Sequence, residues 1–88
     1  MYRITLVCTG VDPAVGDTAA IDIQGEFHNH RKWHQDVTCR FRDGELVLVA
    51  INDFDKRGLA LQDEFSDCLS AYLTEHDGDL YIVSIETV

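Results

Sequence analysis

Five carboxylates lie close together in the chain between residues 52 and 67, and side chains of this type and spacing can serve metal binding or protein recognition. They are Asp53, Asp55, Asp63, Glu64 and Asp67. Carboxylate oxygens bind hard cations such as calcium, and they also pair with arginine and lysine side chains of a partner protein. A third interpretation is that they form only the solvated entry to a helix.

The twelve residues from Asp53 to Glu64 partly match a calcium-binding loop. Acids at its first, third and last positions and Gly58 at its sixth agree with that loop. Its fifth position is Arg57, a cation where an oxygen ligand belongs. A guanidinium deletes a ligand and repels the ion, so we predict no bound metal. A divalent-metal or small-ligand module that uses Asp53, Asp55 and Glu64 is the alternative.

The charge of the chain is strongly negative and unevenly distributed. Sixteen acidic and seven basic residues give a net charge of −9. Residues 51–88 hold nine acids and two bases, whereas residues 1–50 hold seven acids and five bases. A field of this sign repels phosphate and attracts basic surfaces. We therefore predict a basic partner protein and no direct binding of nucleic acid.

No catalytic or zinc motif is recognisable in the sequence. His28, His30 and His34 lie close together, but their spacing matches no common zinc finger, and we interpret this segment as a polar hairpin tip. We find no nucleophile beside a base, no glycine-rich phosphate loop and no carboxylate pair in an apolar cleft. The sequence therefore predicts a protein without catalytic activity and without a cofactor.

Alternation of apolar and polar residues predicts the strands that would position these groups. Four strands are expected first, over residues 2–9, 18–28, 33–42 and 45–52. The second and third would pair about a turn at residues 28–32, with Phe27 and Trp33 facing inward opposite each other. Asp43 and Gly44 predict a two-residue hairpin turn between the third and fourth strands.

A change to the helical period predicts one helix, from about Leu59 to His76, which Gly78 would end. A final strand follows over residues 80–88. The sequence thus predicts a single α+β domain over residues 1–88, with a mainly antiparallel sheet of about five strands. The predicted order is β-β-β-β-α-β, with the one helix packed on one face of the sheet.

The fourth predicted strand is apolar on both sides. Its inward residues are Leu46, Leu48 and Ala50, and its outward residues Val47, Val49 and Ile51 are equally apolar. An apolar second face is covered either by another part of the chain or by a partner. Homodimerisation through Val47, Val49 and Ile51 is therefore a further alternative, with a purely structural role.

The cysteines and the N-terminal segment predict a cytoplasmic protein. Cys8, Cys39 and Cys68 are odd in number and lie among apolar neighbours, so we expect buried, reduced thiols. The first thirteen residues are too short and too polar for a signal sequence or a membrane span. We expect no association with a membrane.

These observations together favour a small acidic binding protein. We expect an inhibitor or immunity-type protein, such as a phage or mobile-element product, that blocks a basic, nucleic-acid-facing surface of its partner. The five acids named first would stand in for phosphates and pair with arginine or lysine of the partner. Trp33 or Tyr81 would supply an aromatic anchor, because charges at the rim of an interface contribute little to affinity.

Overall fold

Four strands and two helices form the part of the chain that the computed structural model describes, residues 1–73 and 78–88. Their order is β1 (Tyr2–Cys8), α1 (Pro13–His30), β2 (Gln35–Arg42), β3 (Glu45–Asn52), α2 (Leu59–Tyr72) and β4 (Leu80–Thr87). Neighbouring strands are antiparallel, in the spatial order β2-β3-β1-β4. This is the split β-α-β topology. The predicted α+β class and antiparallel sheet are confirmed, with four strands in place of about five and two helices in place of one.

The strand predicted over residues 18–28 is wrong, because this segment is the middle of α1. Three of its buried residues, Ala19, Ile23 and Phe27, are four positions apart, and Ala20 is buried beside them. That spacing fits the alternation of a strand and equally fits one side of a helix. Ile21 distinguishes the two, since a strand would bury it with its neighbours, whereas on α1 it is 72% exposed. The predicted pairing of Phe27 with Trp33 is therefore absent.

The start of α1 carries two local signals that favour a helix. Asp12 is the N-cap, and its carboxylate accepts a hydrogen bond from the backbone N–H of Ala14 at 2.9 Å. Pro13 follows in the first turn, where its missing N–H costs nothing and its fixed φ suits the helix. Asp12 and Pro13 are therefore local sequence signals that favour a helix over a strand in the segment that follows them.

The predicted hairpin and the start of the last helix are confirmed. Asp43 and Gly44 have φ of 50° and 80°, as a type I′ turn requires, and Arg42 lies opposite Glu45. α2 begins at Leu59 but ends at Tyr72, so Gly78 does not terminate it. His76, the predicted last residue of the helix, lies outside the described residues.

The hydrophobic core lies between the sheet and both helices. One face of β1 and β3 packs against α1 and α2 in a single buried cluster that includes Ile4, Leu6, Leu46, Leu48, Ile23, Phe27, Leu61 and Phe65. Burying each such side chain stabilises the fold by about 1.5–3 kcal/mol. Both helices therefore cover the same face of the sheet. Neither described helix is long and apolar enough to cross a membrane.

Replacing glycine by alanine should have opposite effects on stability at two positions of α1. A Cβ added at Gly25 meets nothing within 4 Å, so Gly25→Ala should stabilise the protein by about 0.5–1 kcal/mol through helix propensity. A Cβ added at Gly16 overlaps the ring of Phe41, which would have to move. Gly16→Ala should therefore lower the melting temperature while Gly25→Ala raises it. Equal shifts in thermal unfolding would contradict this assignment.

All three cysteines belong to the described part of the chain; each is buried, and no disulfide joins any two of them. The prediction that they are buried is thus confirmed. Burial raises the pKa of Cys8 and Cys68 above the ordinary thiol value. Burial, with smaller effects from the other two cysteines, raises the pKa of Cys39 to about 12.

This shift predicts how stability depends on pH. Above the ordinary thiol pKa of 9.0 the unfolded chain loses the Cys39 proton, whereas the folded protein keeps it up to about pH 12. Ionisation then favours the unfolded chain, so the free energy of unfolding should fall as pH rises through this window. Urea titrations across it should show a shallower fall for Cys39→Ala than for the wild type. Parallel curves would exclude Cys39 as a contributor.

Candidate protein-binding site

Glu64 of α2 accepts hydrogen bonds from three side chains that precede β2. Its Oε1 accepts from Arg31 Nη1 at 3.2 Å and from Trp33 Nε1 at 3.1 Å. Its Oε2 lies 2.7 Å from His34 Nε2. Arg31 and Glu64 also form an ion pair, with side chains that are only 21% and 15% exposed. Glu64 therefore ties α2 to the end of α1, and its charge is balanced within the fold.

Asn52 determines which nitrogen of His34 carries the proton. The Oδ1 atom of Asn52 accepts from the backbone N–H groups of Phe54 and Asp55, at 3.2 and 2.8 Å. Its amide group is thereby directed at His34 Nδ1, 3.2 Å away. Nδ1 is thus an acceptor, and in the neutral imidazole Nε2–H donates to Glu64. Both ring nitrogens are used inside the protein, so His34 has none to offer a substrate as a general base.

Asp55 holds the start of α2. Its two carboxylate oxygens accept from the backbone N–H groups of Ala60 and Leu61, at 3.1 and 2.9 Å, and the residue is 6% exposed. The N-cap residue itself is Gly58, which has φ of 74° and no side chain to accept these bonds. Asp55 supplies the acceptors that the first turn of a helix needs, and its negative charge suits the helix dipole.

Two exposed aromatic rings flank the buried His34. Trp33 is 53% exposed and Phe54 is 52% exposed. Their centroids lie 6.0 and 5.9 Å from that of His34. The indole N–H of Trp33 bonds to Glu64, and the backbone N–H of Phe54 bonds to Asn52. The Trp33 ring is thus held by its own hydrogen bond, and the Phe54 backbone is held beside it, so a partner that packs on them loses less conformational entropy.

The structure divides the five predicted binding acids into two groups. Asp53, Asp63 and Asp67 are exposed, and none of them forms an ion pair with another described residue. Asp53 directly precedes an exposed aromatic ring, and the other two lie four positions apart on one side of α2. Asp55 and Glu64 are instead bonded inside the fold. Only the first group is available to a partner.

An open groove between α1 and the end of α2 has two acidic residues in its walls. Its volume is about 370 Å³, and Asp22, Glu26 and Tyr72 contribute to its walls. Desolvation and then the negative charge of Glu26, with smaller effects from other neighbours, raise the pKa of Tyr72. The groove therefore suits a cationic side chain better than an anionic one.

No protein-family model matches the chain, and no curated protein or solved structure is significantly similar to it. The split β-α-β topology supports many unrelated functions. The fold by itself therefore indicates no function.

The alternative ligand set of Asp53, Asp55 and Glu64 does not converge. Among residues 1–73 and 78–88, no three histidine, cysteine, aspartate or glutamate side chains are grouped so that they could hold a metal ion. The three histidines near the predicted turn are also separated in their contacts. His28 bonds to the carbonyl of Val37 at 3.0 Å, His30 lines the groove, and His34 is buried.

Sequence reasoning missed Phe54 and the donors to Glu64. An aromatic residue within the polar segment 52–58 is a visible signal for Phe54. No local pattern indicates the other contacts, because the donors precede Glu64 by thirty residues or more. Trp33 was expected to face inward from a strand, whereas the structure places it at the surface.

Proposed function

We propose that this chain is a non-catalytic acidic binding protein that covers a basic, nucleic-acid-facing surface of a partner protein, as an inhibitor or immunity protein does. The observation that carries the proposal is the pair of exposed rings, Trp33 and Phe54, held beside His34. A few aromatic anchors provide most of the affinity of many protein interfaces. The aromatic pair therefore gives the acidic surface a place to anchor.

The charges around the aromatic pair select the partner. Asp53 directly precedes Phe54, Asp63 directly precedes the Glu64 that binds Trp33, and both acids are exposed. The exposed cations Lys32, Lys56 and Arg57 also lie within three positions of the two rings, so the acids act on a partner chiefly through the net charge of −9. An arginine of the partner can stack on the indole of Trp33, a contact that contributes about 0.5–2 kcal/mol, and can pair with a neighbouring carboxylate. The net charge of −9 also accelerates association with a basic surface.

The buried network supports a binding role over a catalytic one. Glu64 accepts from three donors, and both nitrogens of His34 are engaged. A general acid or base needs a free position within hydrogen-bond reach of its substrate. Here the titratable groups position the two rings.

An affinity experiment with matched charge reversals tests this proposal. The wild-type protein, immobilised in low salt, should retain a basic nucleic-acid-binding protein from its native host, and duplex DNA should displace that protein. Asp63→Lys should slow association of the purified partner about tenfold, since the site sits in the steering field. Phe54→Ala should speed its dissociation.

Asp17→Lys is the control for charge, because Asp17 is an exposed acid at the start of α1. It should change association much less than Asp63→Lys. If the two variants slowed association equally, the change in association rate would reflect net charge alone, which would contradict a defined site. A partner that duplex DNA fails to displace would contradict the blocking mechanism.

A further inference from the structure

The sheet face opposite the helices has an apolar centre that no described element covers. Strand alternation directs Val7 of β1 and Val47, Val49 and Ile51 of β3 toward this face. Val7 is 7% exposed and the other three are half-buried, while Tyr81 on β4 is 44% exposed. Thr5 and Thr38 flank Val49, and Ser84 lies beside Thr5, whereas Arg40 is paired with Val47 and Arg3 with Ile51. We call this surface the outer face.

The outer face differs in charge from the rest of the molecule. Alternation places three arginines and two glutamates on it, namely Arg3, Arg40, Arg42, Glu45 and Glu86. Arg3 forms an ion pair with Glu86 at 3.9 Å, and Arg42 lies directly opposite Glu45. The exposed acids Asp63 and Asp67 belong to the helix layer on the other side of the sheet. The outer face is thus close to neutral on a chain of net charge −9.

We infer that two copies of this chain associate through their outer faces as a symmetric dimer. The apolar centres then cover each other, and the arginines and glutamates at the rim meet opposite charges of the second copy across the twofold axis. The two acidic helix layers point away from each other, which minimises their repulsion. A nucleic-acid strand fits this face less well, because Tyr81 on an edge strand is its sole aromatic residue among the described positions and offers no platform for successive bases.

The size of the outer face sets the expected strength of the dimer. Four strands about 4.8 Å apart, each of about eight residues at 3.4 Å per residue, cover roughly 500 Å² per copy. A face-to-face dimer therefore buries about 1,000 Å² in total, which is the lower limit for a specific interface. We expect a dimer that dissociates on dilution into the micromolar range.

Salt should strengthen this dimer, because screening of the repulsion between two chains of charge −9 outweighs the weakening of a few exposed ion pairs at the rim, each of which contributes little. An association of the outer face with the helix layer of another copy would behave in the opposite way. Arginines would then face exposed acids, so salt would weaken the contact, and the assembly would extend beyond two copies.

Sedimentation velocity over a concentration series, at low and at high salt, tests the inference. The wild type should be a monomer–dimer mixture whose dissociation constant falls as salt rises. Val49→Lys places a charge at the centre of the face and should raise that constant about a hundredfold. Val15→Lys is the matched control, because Val15 is an exposed valine of α1; it should leave the dissociation constant within about twofold.

Amide chemical shifts of the wild type on dilution provide a second measurement that needs no variant. Shifts at residues 5, 7, 47 and 49 should change with concentration, and those of α2 should not. A monomer at the highest concentration and salt, a dimer insensitive to Val49→Lys, or shifts confined to the helices would each overturn the inference. Val49→Lys leaves the aromatic pair and its acids intact, so the dimer and partner binding are tested independently.

Discussion

Replacing Glu64 by glutamine should lower the free energy of unfolding by about 2–4 kcal/mol, whereas Asp63→Asn should change it by less than about 0.5 kcal/mol. The two residues are neighbours on α2, and both substitutions remove one negative charge. Glu64 accepts three hydrogen bonds, from the buried His34, the partly buried Arg31 and the exposed Trp33. Asp63 is exposed and has no ion-pair partner among the described residues. The difference between them measures the buried network and not the net charge.

Glu64→Gln destabilises the fold because some of the hydrogen-bond donors around position 64 lose their acceptor. Glutamine retains one acceptor oxygen, but its NH₂ group must face a donor, either His34 Nε2–H or the pair from Arg31 and Trp33. Burial alone would lower the pKa of Arg31, yet its hydrogen bond to Glu64, followed by electrostatic effects of Cys68, Glu64 and Glu26, raises it above the ordinary value. The Nε atom of Arg31 is already buried without a hydrogen-bond partner. Removing the Glu64 carboxylate leaves this cation further unsatisfied.

Urea denaturation followed by far-UV circular dichroism gives both free energies. Tryptophan fluorescence provides a local readout, because the Trp33 indole donates to Glu64 and its emission should change in Glu64→Gln before any unfolding. Equal losses of stability at the two positions would show that the network contributes nothing beyond surface charge. If both variants matched the wild type, Glu64 would have no structural role.

Asp55→Asn should lower the free energy of unfolding by about 1–3 kcal/mol, and Asp53→Asn should leave it nearly unchanged. Asparagine at position 55 offers one acceptor to the two backbone N–H groups of Ala60 and Leu61, and its own NH₂ opposes the other. The substitution also removes a charge that the start of α2 favours. Asp53 is exposed and contributes none of these contacts.

Hydrogen exchange separates a local effect from a global one. In Asp55→Asn the amides at positions 60 and 61 should exchange faster than those of α1, because the first turn of α2 loses its acceptors. If amide exchange accelerated equally throughout the chain, the loss of stability would be global and would not arise at the first turn of α2. Protection equal to that of the wild type at both amides would contradict the role given to Asp55.

The two pairs also connect stability with the proposed function. Asp53 and Asp63 are dispensable for folding and are expected to matter for partner binding. Asp55 and Glu64 show the reverse pattern, since they act on a partner only through the fold and the position of the aromatic pair. A variant at Asp53 or Asp63 that binds its partner as the wild type does would therefore argue against the proposed function, whatever its stability.

Some features of this protein are determined by residues close together in the chain. The turn at Asp43 and Gly44 follows from two neighbouring residues that tolerate positive φ. The uninterrupted apolar run from Leu46 to Ile51 predicts a strand that is apolar on both sides, which is how β3 lies in the sheet. In each case the interactions that determine the local structure join residues a few positions apart, so the sequence alone predicts that structure.

Other features depended on the tertiary structure. A spacing of four between Ile23 and Phe27 satisfies a helix and a strand alike, and at these positions the burial of Ala20 and the exposure of Ile21 in the fold separate them. Adjacent acids look equivalent in the sequence, yet Glu64 is enclosed by side chains thirty or more positions away and Asp63 is not. Whether a carboxylate stabilises the fold or remains open to a partner depends on burial and on the charges that the fold brings to it, and neither is a local property of the chain.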